Sequence, residues 1–230
     1  FHQGEKKNDP EFAAELAKLG DIFVSDTFST AHRAHASVEA LARIMPSCAG
    51  RLMEEEISRL ENALSSPKKP VMAVVGGAKV SSKLLLLENL ISPMDKIVIG
   101  GGMANTFLAA KGYNIGQSLC EHEMQDTARS IMENAKKMNC EIILPIDIVV
   151  AKEFAANTNC ETLPADACPA DSMILDAGSQ TIKLIHEHLK HTKTVIWNGP
   201  LGAFEVPPFN KATDAAAKYV AELTQSGKIL

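Results

Sequence analysis

Beyond residue 70 the chain alternates short apolar runs with stretches of helical spacing, and no other feature limits its fold so tightly. The runs 71–75, "DKIVIGG", "EIILP", "MILDAG" and "KTVIWNGP" read as strands. A segment from about 78, then "MANTFLAAKG", "EMQDTARSIMENAKKM", "SQTIKLIHEHLK" and about 209–224 read as helices, while 145–172 reads as rich in loops. Apolar strands alternating with helices imply an α/β fold, a parallel sheet covered by helices on both faces. Ligands of such sheets bind beyond the carboxyl ends of the strands. Three glycine-bearing turns fall there: Gly76-Gly77, Gly100-Gly101-Gly102 and Asn198-Gly199-Pro200. Together they describe a rim of backbone suited to phosphate groups.

Upstream, Asp9 before Pro10 supplies an N-cap and a first-turn proline for a helix in "EFAAELAKLG" ending at Gly20. "DIFVSD" reads as a strand, "TFSTAHRAHAS" as a polar, histidine-rich turn, and "CAGRLMEEEISRLENALSS" as a charged helix running into Pro67-Lys68-Lys69-Pro70. A long charged helix ending in prolines is what connects two lobes. The expected division is 1–47, a remnant of one lobe; 48–69, the connecting helix and linker; and 70–230, a second lobe.

The stretch "VMAVVGGAKVSSKLLLLENL", residues 71–90, concentrates the chemistry. A strand, two glycines and a helix make an anion site of backbone N–H groups and helix dipole, and Lys79 and Lys83 stand i, i+4, with Cβ atoms roughly 6 Å apart on one face. A solvated helix face carries the same spacing, so both readings stand on these residues alone. The segment is not a P-loop, which needs Gly-Lys-Ser/Thr with a glycine five positions ahead, and no G-x-G-x-x-G dinucleotide fingerprint occurs.

With 46% hydrophobic and 22% charged residues the 230-residue chain can bury a real core. A formal charge of −5 argues against general nucleic-acid affinity and directs attention to local basic clusters. Five cysteines without a C-x-x-C suit unpaired thiols in a reducing compartment, and no run approaches the ~20 apolar residues of a membrane span, so a soluble, cytoplasmic setting is expected. The chain opens on Phe1 without a methionine and closes on "SGKIL", as if cut at both ends.

The strings "FHQGEKKNDPEFAAELAKLGD", "DTFSTAHRAHAS", "VVGGAKVSSKL", "IGGGMANTFL" and "VIWNGPLGAFE", in this order, resemble phosphoglycerate kinases along essentially the whole chain. The resemblance implies a two-lobed monomer with a substrate-binding N-terminal lobe and a nucleotide-binding C-terminal lobe. Its implied activity is reversible phosphoryl transfer between 1,3-bisphosphoglycerate and ADP, with Mg2+, giving 3-phosphoglycerate and ATP. His32, Arg33 and His35 match the family's basic patch for the substrate phosphate, where guanidinium binds bidentately and imidazoles add donors. Lys79 resembles the lysine that follows the transferring phosphoryl group and Lys83 a second phosphate lysine; with Arg33 they form the implied catalytic set. Gly77, Ala78, Gly101 and Gly102 match backbone positions near the nucleotide, Leu175 and Pro200 walls for adenosine, Asn198 and Gly199 the turn beside the phosphates, and Glu205 the ribose carboxylate. Phosphoryl transfer needs positioning and charge neutralisation more than covalent chemistry from side chains.

His186, His188 and His191 read as surface residues of a charged helix and Trp197 as core; Asp147 and Asp176 have no partner that defines acid–base work. A metal between His32 and His35 would face Arg33 without a carboxylate in the motif. Ser29 and Ser82 stand where the family often has glycine and aspartate. Measured against the family, the chain stops short of substrate ligands at its start and of the glycine turn and aspartate for nucleotide and Mg2+ at its end, so the metal ligands are expected outside it and the isolated chain is expected to turn over poorly. Two other readings are a non-catalytic adenine-nucleotide module, which has no need of the Arg33 patch, and a dehydrogenase, which lacks its fingerprint.

Overall fold

A computed structural model describes residues 2–230, which fall into two compact units divided between Ser66 and Pro67. In the first, Asp9 caps helix α1 (Pro10–Ala17) by accepting the amides of Glu11 and Phe12, as the Asp-Pro pair predicts. Strand β1 (Phe23–Ser25) pairs in parallel with β2 (Ser47–Ala49). The "HRAHAS" segment leads into a π-helical turn, Ala36–Ala40, continued by α2 (Leu41–Ile44), and the charged helix α3 spans Arg51–Ser65. Residues 48 and 49 are therefore strand rather than the start of that helix. Gly50 marks the change, with the Asp26 carboxylate accepting the Met53 amide at 2.9 Å.

The second unit is built on β3 (Val71–Gly76), whose six residues are all buried, as a continuous apolar run requires. Next come α4 (Leu84–Ile91), β4 (Lys96–Gly100), α5 (Gly101–Ala110), α6 (Gln125–Lys137) and β5 (Glu141–Ile143). The segment expected to be loop-rich carries β6 (Asp147–Ala151) and β7 (Glu161–Pro164), and β8 (Met173–Ala177), α7 (Ser179–Lys190), β9 (Thr194–Asn198) and α8 (Lys211–Gln225) complete the order.

The main sheet runs β5-β4-β3-β9, all parallel. Side chains alternate across it: Val71, Ala73 and Val75 pack with Leu87, Met103, Phe107 and Ile131 of α4, α5 and α6, while Met72 and Val74 pack with Ile185, Leu189, Ala212 and Ala216 of α7 and α8. Helices therefore cover both faces, as the alternation predicts. A second, antiparallel sheet, β7-β6-β8, departs from the all-parallel expectation and packs Ile148 and Val150 on Leu108 of α5. No helix of the described residues is long and apolar enough to cross a membrane.

Candidate functional site

The order β4-β3-β9 sets the three glycine turns side by side at one end of the main sheet. They touch each other before they can touch anything else. A Cβ on Gly76 would lie 1.7 Å from the Pro200 carbonyl oxygen, and one on Gly199, whose φ is +105°, would lie 2.2 Å from the Gly76 oxygen. The Gly101 amide donates to Leu201 O at 2.8 Å, and the Met103 amide to Gly77 O at 2.9 Å. Glycine is thus needed here for backbones to close on one another.

Beneath the rim opens a cavity of about 500 Å³. Gly77, Ala78, Gly101 and Gly102 form its backbone side, Leu175, Pro200, Leu119, Phe154 and Phe204 its apolar walls, and Glu205 an exposed carboxylate. Apolar walls, a carboxylate and a strip of backbone turns suit a flat ring, vicinal hydroxyls and an anionic group in one ligand. Asn198, Gly199, Lys79 and Lys83 are not among its walls.

The two lysines do not share a helical face. Residues 77–80 form an irregular turn, Ser81–Lys83 a 3-10 turn, and α4 starts only at Leu84, because buried Val80 pulls the chain inward before a helix can begin. Lys79 projects from the exposed part of that turn. The Lys83 ammonium lies at the strand ends, donating to Gly76 O at 2.5 Å, to Asn198 O at 2.9 Å and to the Asn198 amide oxygen. Burial holds the Lys83 ammonium below the usual lysine range. Lys83, Asn198 and the Gly76 carbonyl thus form one knot beside the glycine rim, which places a positive charge there with its three donors taken up by neutral oxygens.

The basic patch lies in the other unit. Arg33 Nε donates to His32 Nε2 at 3.0 Å, leaving His32 as an acceptor, and His35 Nδ1 stands 3.9 Å from a carboxylate oxygen of Glu5. With Nε2 accepting, the His32 ring keeps Nδ1–H as its donor, and the Arg33 side chain is exposed.

The phosphoglycerate kinase family model matches residues 1–230. The chain belongs to the phosphoglycerate kinase family. Phosphoglycerate kinases of Ruegeria sp. and Cereibacter sphaeroides are 59% and 60% identical over the whole chain, which covers 58% of the length of each. The solved phosphoglycerate kinase of Coxiella burnetii superposes with a TM-score of 0.81 at 43% identity over 96% of this chain and 57% of that one. The structure from Pyrococcus horikoshii gives 0.80 at 30% identity, over 96% and 58% of the respective chains. The chain therefore spans somewhat more than half the length of the relatives it matches.

Within this family frame, sequence reasoning passed over several cavity residues. Asn105 is 2% exposed, donates through Nδ2 to Leu119 O at 3.1 Å, and leaves its Oδ1 without a partner. A polar side chain inside the apolar run "MANTFLAA" was the available signal. Leu119, Phe154 and Phe204 come from loops that local periodicity does not place. Asp176 is buried at the cavity floor, accepting the amides of Ala177 at 2.9 Å and Ala212 at 3.0 Å. Burial raises its carboxyl to about 7 despite those amides, which pull the other way. Asp147 caps α7 through the amides of Gln180 and Thr181. Both aspartates hold helix ends. Of the three histidines expected at the surface only His191 is exposed; His186 stacks on Tyr219 and His188 Nδ1 meets Lys96 Nζ at 2.7 Å. Trp197, expected in the core, is half-buried and donates through Nε1 to Gly199 O at 2.7 Å.

Proposed function

We propose that the chain serves the reversible transfer of a phosphoryl group between 1,3-bisphosphoglycerate and ADP in glycolysis, as part of a phosphoglycerate kinase. The observation that carries this reading is the glycine rim closed around an apolar cavity with the Lys83 knot at its edge, in a chain matched throughout by the family. In this reading Leu175 and Pro200 sandwich the adenine ring, Glu205 accepts the ribose hydroxyls, and the amides of Gly77, Ala78, Gly101 and Gly102 face the nucleotide. The phosphates run toward Asn198, Gly199 and Lys83. Arg33, with His32 and His35 beside it, holds the phosphate of the three-carbon substrate. In the forward direction an oxygen of the ADP β-phosphate bonds to the acyl phosphorus as the bond from phosphorus to the acyl oxygen breaks, leaving a carboxylate. Lys79 neutralises the charge on the moving group, and Lys83 the charge on the phosphates that receive it.

Magnesium accompanies such nucleotides, but the described residues do not fit a site for it: no three His, Cys, Asp or Glu side chains converge, and Asp176 is committed to backbone amides. The lobe assignment follows the same reading, with 1–47 on the substrate side, 48–69 connecting and 70–230 on the nucleotide side. Five unpaired cysteines support a cytoplasmic setting. In this reading the protein acts as a monomer.

Calorimetric titration with ADP, with and without magnesium, tests the assignment. Saturable binding that weakens at least tenfold in Lys79→Ala and depends little on magnesium is expected. A folded chain that binds no ADP removes the nucleotide assignment.

A further inference from the structure

Lys79 and Lys83 belong to a turn that has no cap of its own. Neither Val80 nor Lys83, the residues that open the 3-10 turn and α4, supplies a side-chain cap, so the first amides there need an acceptor from elsewhere. That acceptor is Glu121, forty residues away: its carboxylate takes the Ser81 amide at 3.0 Å and the Ser81 hydroxyl on its other oxygen. Glu121 is itself anchored, since its amide donates at 3.1 Å to Oγ1 of Thr106, a fully buried residue of α5. Two residues earlier the same strap is tied again to α5 by Asn105 Nδ2 on Leu119 O at 3.1 Å, and Leu119 forms part of the cavity wall. Burial pushes the Glu121 carboxyl up, but the Ser81 hydroxyl and amide, the Val80 amide and the Lys79 ammonium together bring it below its ordinary range. It remains an anion, the stronger acceptor.

We propose that Glu121 is a positioning residue for the phosphate-facing lysines: by clamping Ser81 between Lys79 and Lys83 it ties their turn to the helix that opens at Gly101 and Gly102. This rests on the nucleotide reading above. Glu121 does not line the cavity; it acts through Ser81. Removing the clamp frees the turn, so a ligand must immobilise it on binding, a cost that falls on the phosphates and not on the nucleoside.

Titrations of the full chain with ADP and with adenosine separate the two parts of the ligand. In Glu121→Ala, ADP affinity falls about tenfold while adenosine affinity stays within about twofold of wild type. Glu121→Gln, which keeps one acceptor for Ser81, loses about threefold for ADP, and Ser81→Ala added to Glu121→Ala changes nothing further, because the two residues act as one unit. A merely structural part for Glu121 would instead lower the melting temperature and move both ligands alike or neither, and that result overturns the proposal. Should Glu121→Ala fail to fold, Glu121→Gln and Ser81→Ala carry the same comparison. Wild type that binds ADP alongside a Glu121→Ala variant that binds it equally well leaves the nucleotide reading standing and removes this inference; wild type that binds no ADP removes both.

Discussion

Gly76 and Gly20 are the same residue in opposite circumstances. A methyl group on Gly76 would strike the backbone of Pro200, which cannot move without dragging β9 and the third glycine turn, whereas one on Gly20 would meet nothing within 4 Å. Gly76→Ala is expected to destabilise the second unit by about 3 kcal/mol or more and to weaken nucleotide binding, while Gly20→Ala stays within about 0.5 kcal/mol of wild type, both read by chemical denaturation. Asp176 gives a pH dependence of a definite sign. Its carboxyl titrates near 7 when folded, against an ordinary value of 3.8. Between those values the folded chain binds more protons than the unfolded one, so this group makes stability fall as pH rises from about 4 to about 7. Asp176→Asn is expected to flatten that slope in denaturation curves taken across the window; an unchanged slope would mean that Asp176 is ionised in the folded chain throughout.

At the scale of single elements, helix ends are held by groups from elsewhere more often than by their own caps. Helix α1 is capped locally by Asp9, but α7 takes Asp147 from β6 and α8 takes Asp176 from β8. Asp147 also accepts the Thr181 hydroxyl, and Gly178 must be glycine because a Cβ there would lie 2.2 Å from that carboxylate. Asp147→Ala leaves the Gln180 and Thr181 amides without their acceptor, while the Thr181 hydroxyl keeps the Asp147 backbone carbonyl at 3.1 Å, and is expected to cost about 2 kcal/mol, measured by urea denaturation. Asp9→Ala, at an exposed local cap, is expected to cost about 1 kcal/mol.

Across the whole molecule, burial is uneven. The second unit contains three apolar clusters, with β3 buried along its length, while the first has one small cluster, Ala13, Ala36 and Ala40 with Phe12 packed against them, and Leu41 and Met53 buried besides. Leu52, Ile57, Leu60 and Leu64 of α3 are exposed. Small side chains bury little apolar area, so the first unit has less to hold it folded. Hydrogen exchange on the intact chain is therefore expected to show the slowest amides in β3 and β4 and early exchange in the first unit; equal protection in both would contradict this account.

What the sequence settled by itself was local. A run such as "VMAVVG" is apolar at every position because both faces of its strand are covered, Asp9-Pro10 marks a helix start through its own cap, and the glycine turns mark strand ends, since each signal arises from neighbours in the chain. The family, too, was legible in short strings. The antiparallel β6-β7 pair was missed because β7, "ETLP", is mostly exposed and carries no apolar period, and β2 because its three residues are a strand only through pairing with β1. Tertiary structure alone decided that β9, over a hundred residues downstream, lies against β3, and so that Asn198 meets Lys83 and the three glycine turns close on one another. It also broke the expected helical face of Lys79 and Lys83, by burying Val80 and lending Glu121 as a distant cap. Strand order and long-range acceptors depend on pairings between remote segments, which periodicity within a segment does not record.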